Sequence, residues 1–346
     1  MNFVGVDLHK KSIVVCVVSQ ARQVLQSHRF ACSDPDGLRE WFASLGSFQV
    51  VVEATASYEW FVQLVEPLAD RVVLAHPGKL RVIAESTRKT DKLDAKVLAE
   101  FLALDMIPEA YRPTPRQREH RVWMRHRQYL RVRIGSIMVR LRRIFANYNA
   151  DRPDLFTIAG RAASASITLS AADRFAVNQL WRELDLFEGQ LAEVYQALRQ
   201  FAKQAPPAEA AARQVLAGIP GVGVVTREVY LAEVADVRRF RSQKKVVAYA
   251  GLAPRLRESA GKRHELGITH RGSRLLRWVL CQAAWQLVRR DPRWRRIFEA
   301  LAARRGRKKA ITAVARRLLC VMTSMVMSGQ EYRPAVPIAA GSGKAA

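Results

Sequence analysis

The chain has 346 residues, 49% of them apolar, and carries 57 Lys and Arg against 31 Asp and Glu, a net charge of +26 with a pI near 10.8. That apolar share excludes a disordered polycation, and the length asks for two or three domains. A surface this basic collects polyanions, with nucleic acid expected ahead of an anionic membrane. No unbroken run of about 18 apolar residues is present, so no bilayer-spanning helix is expected. The N-terminus lacks the charged, apolar and small-residue order of a signal peptide. Cys16, Cys32, Cys281 and Cys320 are isolated, with no CxxC pair. They argue against structural zinc and a disulfide framework, and fit a reducing, cytoplasmic location.

Asn2–Val18 organises the rest. Val4, Val6 and Leu8 alternate with Phe3, Gly5 and Asp7, the period of a strand. His9-Lys10-Lys11-Ser12 forms a polar turn, and Ile13–Val18 resumes as an apolar strand. Asp7 therefore stands at the end of a central strand, where burying a charge is costly without a partner. A third strand over Gln23–Phe30 follows, then a helix start at Asp34-Pro35-Asp36-Gly37 and a short helix over Leu38–Leu45. Gln49–Glu53 reads as a buried fourth strand ending on an acid. Ser57–Leu68 is expected to be helical, Arg71–Ala75 a strand, and Thr90–Leu104 a helix with an acid-rich first turn. Strands alternating with helices after an initial hairpin indicate a mixed α/β domain.

The composition then changes. Arg112–Arg143 holds eleven arginines and one acid, Glu119. Trp123, Leu130, Ile134, Ile137, Leu141, Ile144 and Tyr148 step by three and four, apart from a double interval over Arg127. That pattern is an amphipathic helix with a cationic outer face, on which Arg121, Arg125 and Arg131 are candidate phosphate contacts. Residues 151–172 read as irregular. Val177, Leu180, Leu184, Phe187, Leu191, Val194, Leu198 and Phe201 then form an unbroken heptad seam. The two helices can pair with each other as an antiparallel hairpin or with a second subunit.

Gln204–Pro207 is the next boundary. Gly218-Ile219-Pro220-Gly221-Val222-Gly223 between helical stretches reads as a helix-hairpin-helix, whose Gly221 and Gly223 would leave backbone N–H groups open to a phosphate. A tight turn touching nothing is the bland alternative. A polar loop is expected over Arg255–Gly267, and Ser273 caps a helix running to Val288. The last helical region, Asp291–Met327, carries the run Arg304-Arg305-Gly306-Arg307-Lys308-Lys309, from which Arg307 and Lys308 are taken as nucleic-acid contacts. The residues after 330 form a Pro/Gly/Ala-rich tail expected to be disordered.

Four acids stand out by position: Asp7, Glu53, and Asp91 with Asp94, three apart on one helix face. Acids gathered at strand ends repel one another unless a cation sits among them. Hard divalent ions such as Mg²⁺ take oxygen ligands of this kind, and two ions about 3.5–4 Å apart can stabilise both oxygens of a phosphoryl transfer. Asp91 and Asp94 have a simpler reading as first-turn acids complementing the helix dipole. Asp7 and Glu53 do not, because apolar runs lead directly into them.

VGVDLHK, VVVEATASYEW and KTDKLDAKVLAEF, with LAGIPGVGVVT and VAYAGLAPRLRESAGKRHELGITHRGSRLLRWVLCQAAW, resemble the conserved blocks of the DEDD-type transposases of bacterial insertion sequences, whose members include bridge-RNA-guided recombinases. The resemblance covers both ends of the chain. It implies a ribonuclease H-like, Holliday-junction-resolvase-like N-terminal domain over 1–108, a helical coiled-coil middle over 109–205, and a mainly α C-terminal transposase domain over 206–330. It places Asp7, Glu53, Asp91 and Asp94 in a metal site with two Mg²⁺ ions. It also implies a serine nucleophile that forms a covalent phosphoserine link to DNA, matched here by Ser259. The family's usual Ser-Gly pair is replaced by Ser259, Ala260 and then Gly261. With no obvious histidine base in this loop, Ser259 would rely on the metal site or on Arg257, Lys262 and Arg263 for activation. The implied partners are donor and target DNA, a structured guide RNA and further copies of the chain as a dimer or tetramer, in a nucleoid-associated setting with no membrane. A guide RNA would supply the sequence reading that no module of this chain provides.

Three alternatives stay open on the residues. A resolvase-like nuclease would use the four acids and water. A basic nucleic-acid-binding protein would use neither acids nor serine. A sugar kinase of the actin-like fold also opens with GVDL, but His9-Lys10-Lys11 offers no glycine-rich phosphate loop.

Overall fold

The alternation at the N-terminus is realised as β1 (Asn2–Leu8) pairing antiparallel with β2 (Ser12–Val18), and β2 with β3 (Val24–Ala31). On its other side β1 pairs parallel with β4 (Phe48–Glu53), and β4 with β5 (Arg71–Ala75), in the order β3-β2-β1-β4-β5. The computed structural model describes residues 1–55, 57–83, 91–259 and 262–334, without the side chains of 81–83, 91–93, 256–259 and 262–265. Across these the chain divides into two units, Met1–Arg112 and Pro113–Ala346.

In the first unit the period of two sorts side chains between two cores. Val4, Val6, Ile13, Val15, Val50 and Val52 face α1 (Pro35–Ala43) and α2 (Glu59–Val65) through Leu38, Phe42, Phe61 and Val65. Phe3, Val14, Cys16, Val51 and Val73 face α4 (Asp91–Ala103) through Ala95, Leu98, Ala99 and Leu102. Asp34 caps α1 by accepting from Gly37 N–H. α3 (Pro77–Ile83) begins where the sequence reads only a closing turn. The sheet content is the mixed α/β arrangement expected, and the remaining unit is mostly helical.

The second unit opens with α5 (Pro115–Asn147), started by a capping box between Thr114 and Gln117. α6 (Ile158–Ala165) lies in the span expected to be irregular, and α7 (Ala171–Lys203) returns along α5. Arg127 meets Tyr195 near one end and Tyr148 meets Asp173 at the other, so the pair is antiparallel. The heptad seam of α7 is buried against α5, with Leu130, Ile134, Ile137, Leu141 and Phe145 facing Val177, Leu180, Leu184, Leu191 and Val194. The seam is therefore occupied within the chain, which removes it as the surface for a second subunit. The double interval over Arg127 has a direct explanation. Arg127 is buried in the stripe, and its guanidinium donates to Tyr195 Oη at 2.7 and 3.1 Å. Met124 and Phe145, not Trp123 and Tyr148, complete the buried face.

α8 (Pro207–Ala217), α9 (Val224–Val234), α10 (Gln243–Tyr249), α11 (Arg274–Arg290), α12 (Pro292–Arg305) and α13 (Arg307–Ser328) share one further core. Ser273 caps α11 as its sequence position indicated, accepting from Leu276 N–H. The expected polar loop is instead a hairpin, β6 (Pro254–Ser259) paired antiparallel with β7 (Lys262–Ile268). Among the described residues α13 alone has the length and apolarity to cross a membrane. It carries Arg316 and Arg317 midway, and Val314, Ala315, Leu318, Leu319 and Met322 on its apolar face are buried in this core.

Candidate active site

β1 and β4 are parallel neighbours with Val6 opposite Val52. One step further along both strands come Asp7 and Glu53, side by side at the carboxyl ends of the two central strands. Both belong to the alternate set that faces α4, with Phe3 and Gly5 on β1 and Val51 on β4. Gly5 lets α4 sit down on the sheet: a Cβ there would meet Ala95 O at 2.0 Å and Ala99 N at 2.5 Å. Asp94, half-buried, immediately precedes the residue that Gly5 touches. Thus three of the four acids come from elements that meet on one face of the sheet. Asp91 opens α4, and its side chain lies outside the described residues. Among the described residues no group of three His, Cys, Asp or Glu forms a ready metal cluster.

The donor set itself suits a hard divalent cation. It is all carboxylate oxygen, on two rigid strands and one helix, and Asp7 is only 17% exposed. His9, part of the polar turn read from sequence, places Nε2 3.0 Å from Asp7 Oδ2. The turn that carries it is closed by His9 N–H donating to Ser12 O at 2.9 Å. His9 thus belongs to the site's surroundings. The spacing of two residues from Asp7 within a tight hairpin was the only trace of it in the sequence.

Ser259 is the last residue of β6, in register with Lys262 across the hairpin. Its side chain, with those of Arg257, Lys262 and Arg263, lies outside the described residues.

The expected nucleic-acid contacts separate into two groups. Arg121 serves the fold: it donates to Ala232 O at 2.8 Å and Glu233 O at 3.1 Å, the free carbonyls at the end of α9. Arg125 makes a double hydrogen bond to the buried Glu233 carboxylate at 3.1 and 3.2 Å. Gly221, at φ +85°, is a packing glycine, since a Cβ there would meet Leu287 N of α11 at 2.8 Å. Arg131, Gly223, Arg307 and Lys308 are exposed. Arg307 sits over the rings of Trp285 and Phe298.

Sequence reading missed a buried charge network beneath α5. His120 Nε2 lies 3.1 Å from Glu228 Oε2, Arg213 donates to the same carboxylate at 2.9 Å, and Arg213 and Arg116 share Glu209. Burial pushes the Glu228 carboxyl up, but His120 and Arg213 outweigh it and hold it down to about 2. The i, i+4 spacings of Arg116 with His120 and Glu209 with Arg213 were visible, but their meeting across three helices was not.

Charge is divided unevenly between the units. Residues 1–112 contain 13 Lys and Arg against 14 Asp and Glu, while residues 113–346 contain 44 against 17. The carboxylate site belongs to the near-neutral unit.

Residues 4–149 match a DEDD transposase model of the IS110 type, and residues 213–299 match the model described as Transposase IS116/IS110/IS902 family. The chain is 23% identical to the transposase for insertion sequence element IS1111A of Coxiella burnetii, over 96% of this chain and 92% of that protein. It is 24% identical to the transposase for insertion sequence element IS1328 of Yersinia enterocolitica, over 82% and 83%. It is also 24% identical to the pilin gene-inverting protein of Moraxella bovis, over 96% and 97%. A DEDD domain implies use of a divalent metal. With one family model covering the carboxylate unit and α5, and the other covering the later helical segments that include Ser259, the chain belongs to the IS110/IS116/IS902 family of transposases, enzymes of DNA recombination.

Proposed function

We propose that this transposase cleaves and rejoins DNA strands through a phosphoserine at Ser259, with Asp7, Glu53, Asp91 and Asp94 holding two Mg²⁺ ions. The observation that carries the reading is the placement of Asp7 and Glu53, each one residue beyond the last paired position of adjacent parallel strands, on the face where α4 brings Asp94. The strand order supports reading residues 1–108 as a ribonuclease H-like domain, followed by the helical hairpin and a C-terminal transposase domain from 206. When bound, the ions would neutralise phosphate charge as the transition state forms. The Ser259 hydroxyl oxygen bonds to phosphorus, the phosphorus–oxygen bond to the leaving strand breaks, and the proton lost by serine ends on the hydroxyl of that strand. A second strand's hydroxyl reverses the step. One phosphodiester bond is exchanged for another, so no nucleotide hydrolysis is needed.

The exposed Gly223 at the start of α9, with Arg131, Arg307 and Lys308, would hold backbone phosphates without reading bases. Sequence choice then falls to a guide RNA paired with donor and target DNA, in a nucleoid-associated setting in the cytoplasm. Joining two DNA partners takes more than one serine, so a dimer or tetramer is part of the proposal, assembled on surfaces other than the α5–α7 seam.

The test is a denaturing gel of protein and labelled DNA carrying an insertion junction, with Mg²⁺ and the RNA of the flanking element. The wild type is expected to give a protein–DNA adduct and recombinant product. Ser259→Ala loses both and keeps DNA binding, and Asp7→Ala and Glu53→Ala do the same. Strand cleavage surviving in Ser259→Ala would replace this scheme with a nuclease that uses water.

A further inference from the structure

A cleft of about 560 Å³ lies between α12, the second half of α13 and the segment that follows α13. Arg293, Arg316, Arg317 and Arg333 line it against one carboxylate, Glu331. All four arginines are exposed, and among the described residues none makes an ion pair. The same unit elsewhere matches arginines with acids, as in Arg213 with Glu228, Arg116 with Glu209 and Arg161 with Asp185. Four guanidinium groups left facing one cavity repel one another unless an anion joins them.

A second cavity of about 380 Å³ shares Gln243, Ser324 and Ser328 with the first and adds Arg241. The two therefore run together along α13 from Arg316 to Ser328, a helical distance of roughly 18 Å. That spans about five steps of duplex rise, more than a single nucleotide would use. The aromatic groups at the cleft are already engaged. Buried Trp294 donates from Nε1 to Tyr332 Oη at 2.7 Å, and Tyr332 donates to Asp291 Oδ2 at 2.7 Å. Phe240, which lines the second cavity, is held between Tyr249 and Arg239. The first cleft therefore offers charge and hydroxyl groups, not a platform for stacking bases.

We propose that this double cleft binds the phosphodiester backbone of nucleic acid without reading sequence. The inference rests on the DNA-acting role of the chain but not on Ser259 or the carboxylates. Cys320 lines the cleft beside Arg316 and gives a local probe. In the full-length protein its alkylation by a maleimide is followed by peptide mass spectrometry, with duplex DNA, structured RNA or inorganic tripolyphosphate added. Saturating DNA or RNA is expected to slow labelling of Cys320 severalfold, and the comparison of the two shows which polymer occupies the cleft. In parallel, affinity is measured against salt for the wild type, for Arg316→Gln/Arg317→Gln, and for the exposed control pair Arg182→Gln/Arg199→Gln on α7. The cleft variant should show a salt slope shallower by about 2, at roughly 0.9 per duplex phosphate contact, and the control none. Cys320 labelled equally with and without either polymer overturns the proposal, as does an unchanged slope in the cleft variant. Protection by tripolyphosphate where DNA and RNA give none also overturns it. Labelling needs no cleavage, so Ser259→Ala should give the same protection, and failure of the cleavage scheme reads out separately.

Discussion

Glu228 shows how this fold handles a charge that it buries. The carboxylate meets Arg213 and His120 inside the helical unit, and removing it would leave both without that partner. Glu228→Gln is expected to lower stability by about 3 kcal/mol in urea unfolding at neutral pH, the cost of breaking a buried pair from one side. The pH dependence follows from the depressed carboxyl. Its stabilisation is complete above its ordinary value of 4.5 and is lost as pH falls toward about 2. The difference in stability between the wild type and Glu228→Gln should therefore shrink over that interval, and a constant difference would show that Glu228 stays protonated in the native protein. At this scale the sequence was most informative where a residue broke a pattern. Asp7 and Glu53 were legible because apolar strands end on them. Arg127 broke the helical stripe just as visibly, but its reason lay on Tyr195, 68 residues away. Arg121 and Arg125 read as surface cations, and nothing local shows that the end of α9 also engages them, although Arg125 stays exposed beside Glu233.

Among the elements, the contact of β1 with α4 sets the geometry of the carboxylates. Gly5 is the point of closest approach, and no side chain fits between the strand and Ala95 or Ala99. Gly5→Ala must push α4 away, and overpacking of this kind costs about 1–3 kcal/mol or more. Asp94 moves with the helix. The expected result is a lower melting temperature and a loss of metal-dependent strand cleavage larger than the stability loss explains, with DNA affinity kept. Cleavage at the wild-type rate would remove Asp94 from the site. Periodicity made α4, α5 and α7 legible, because each buries one face, and apolar runs marked the central strands, which are buried on both. It could not reveal the hairpin of β6 and β7, since Arg255–Gly267 is polar on both faces and offers no alternation to read. It also left the partner of the α7 seam open. A heptad stripe states that something covers it, and only the fold shows that α5 does.

For the molecule as a whole, the division of charge matters more than its sum. The net +26 was plain from composition, but its restriction to residues 113–346 required knowing where the units divide. Affinity for a polyanion is then carried by the helical unit, and the acids by a unit with almost no net charge. Asp7→Asn and Glu53→Gln should each abolish strand cleavage while leaving the salt slope of DNA binding at its wild-type value, read by fluorescence anisotropy across a salt series. A slope that steepens in these variants would show that the acids oppose DNA in the bound state.

Beyond Met124, which joins the core built around α13, the hairpin of α5 and α7 has a core of its own. Two helices of 33 residues, locked side by side, make a rod roughly 50 Å long. Rods of this construction are adjustable in quanta. Excising residues 131–137 from one helix and 184–190 from the other removes matching heptads, keeps the interlocking of the rest, and shortens the rod by about 10 Å. Whatever the far tip holds would be drawn in by that increment, so the hairpin can serve as a molecular ruler whose graduations are written in units of seven residues.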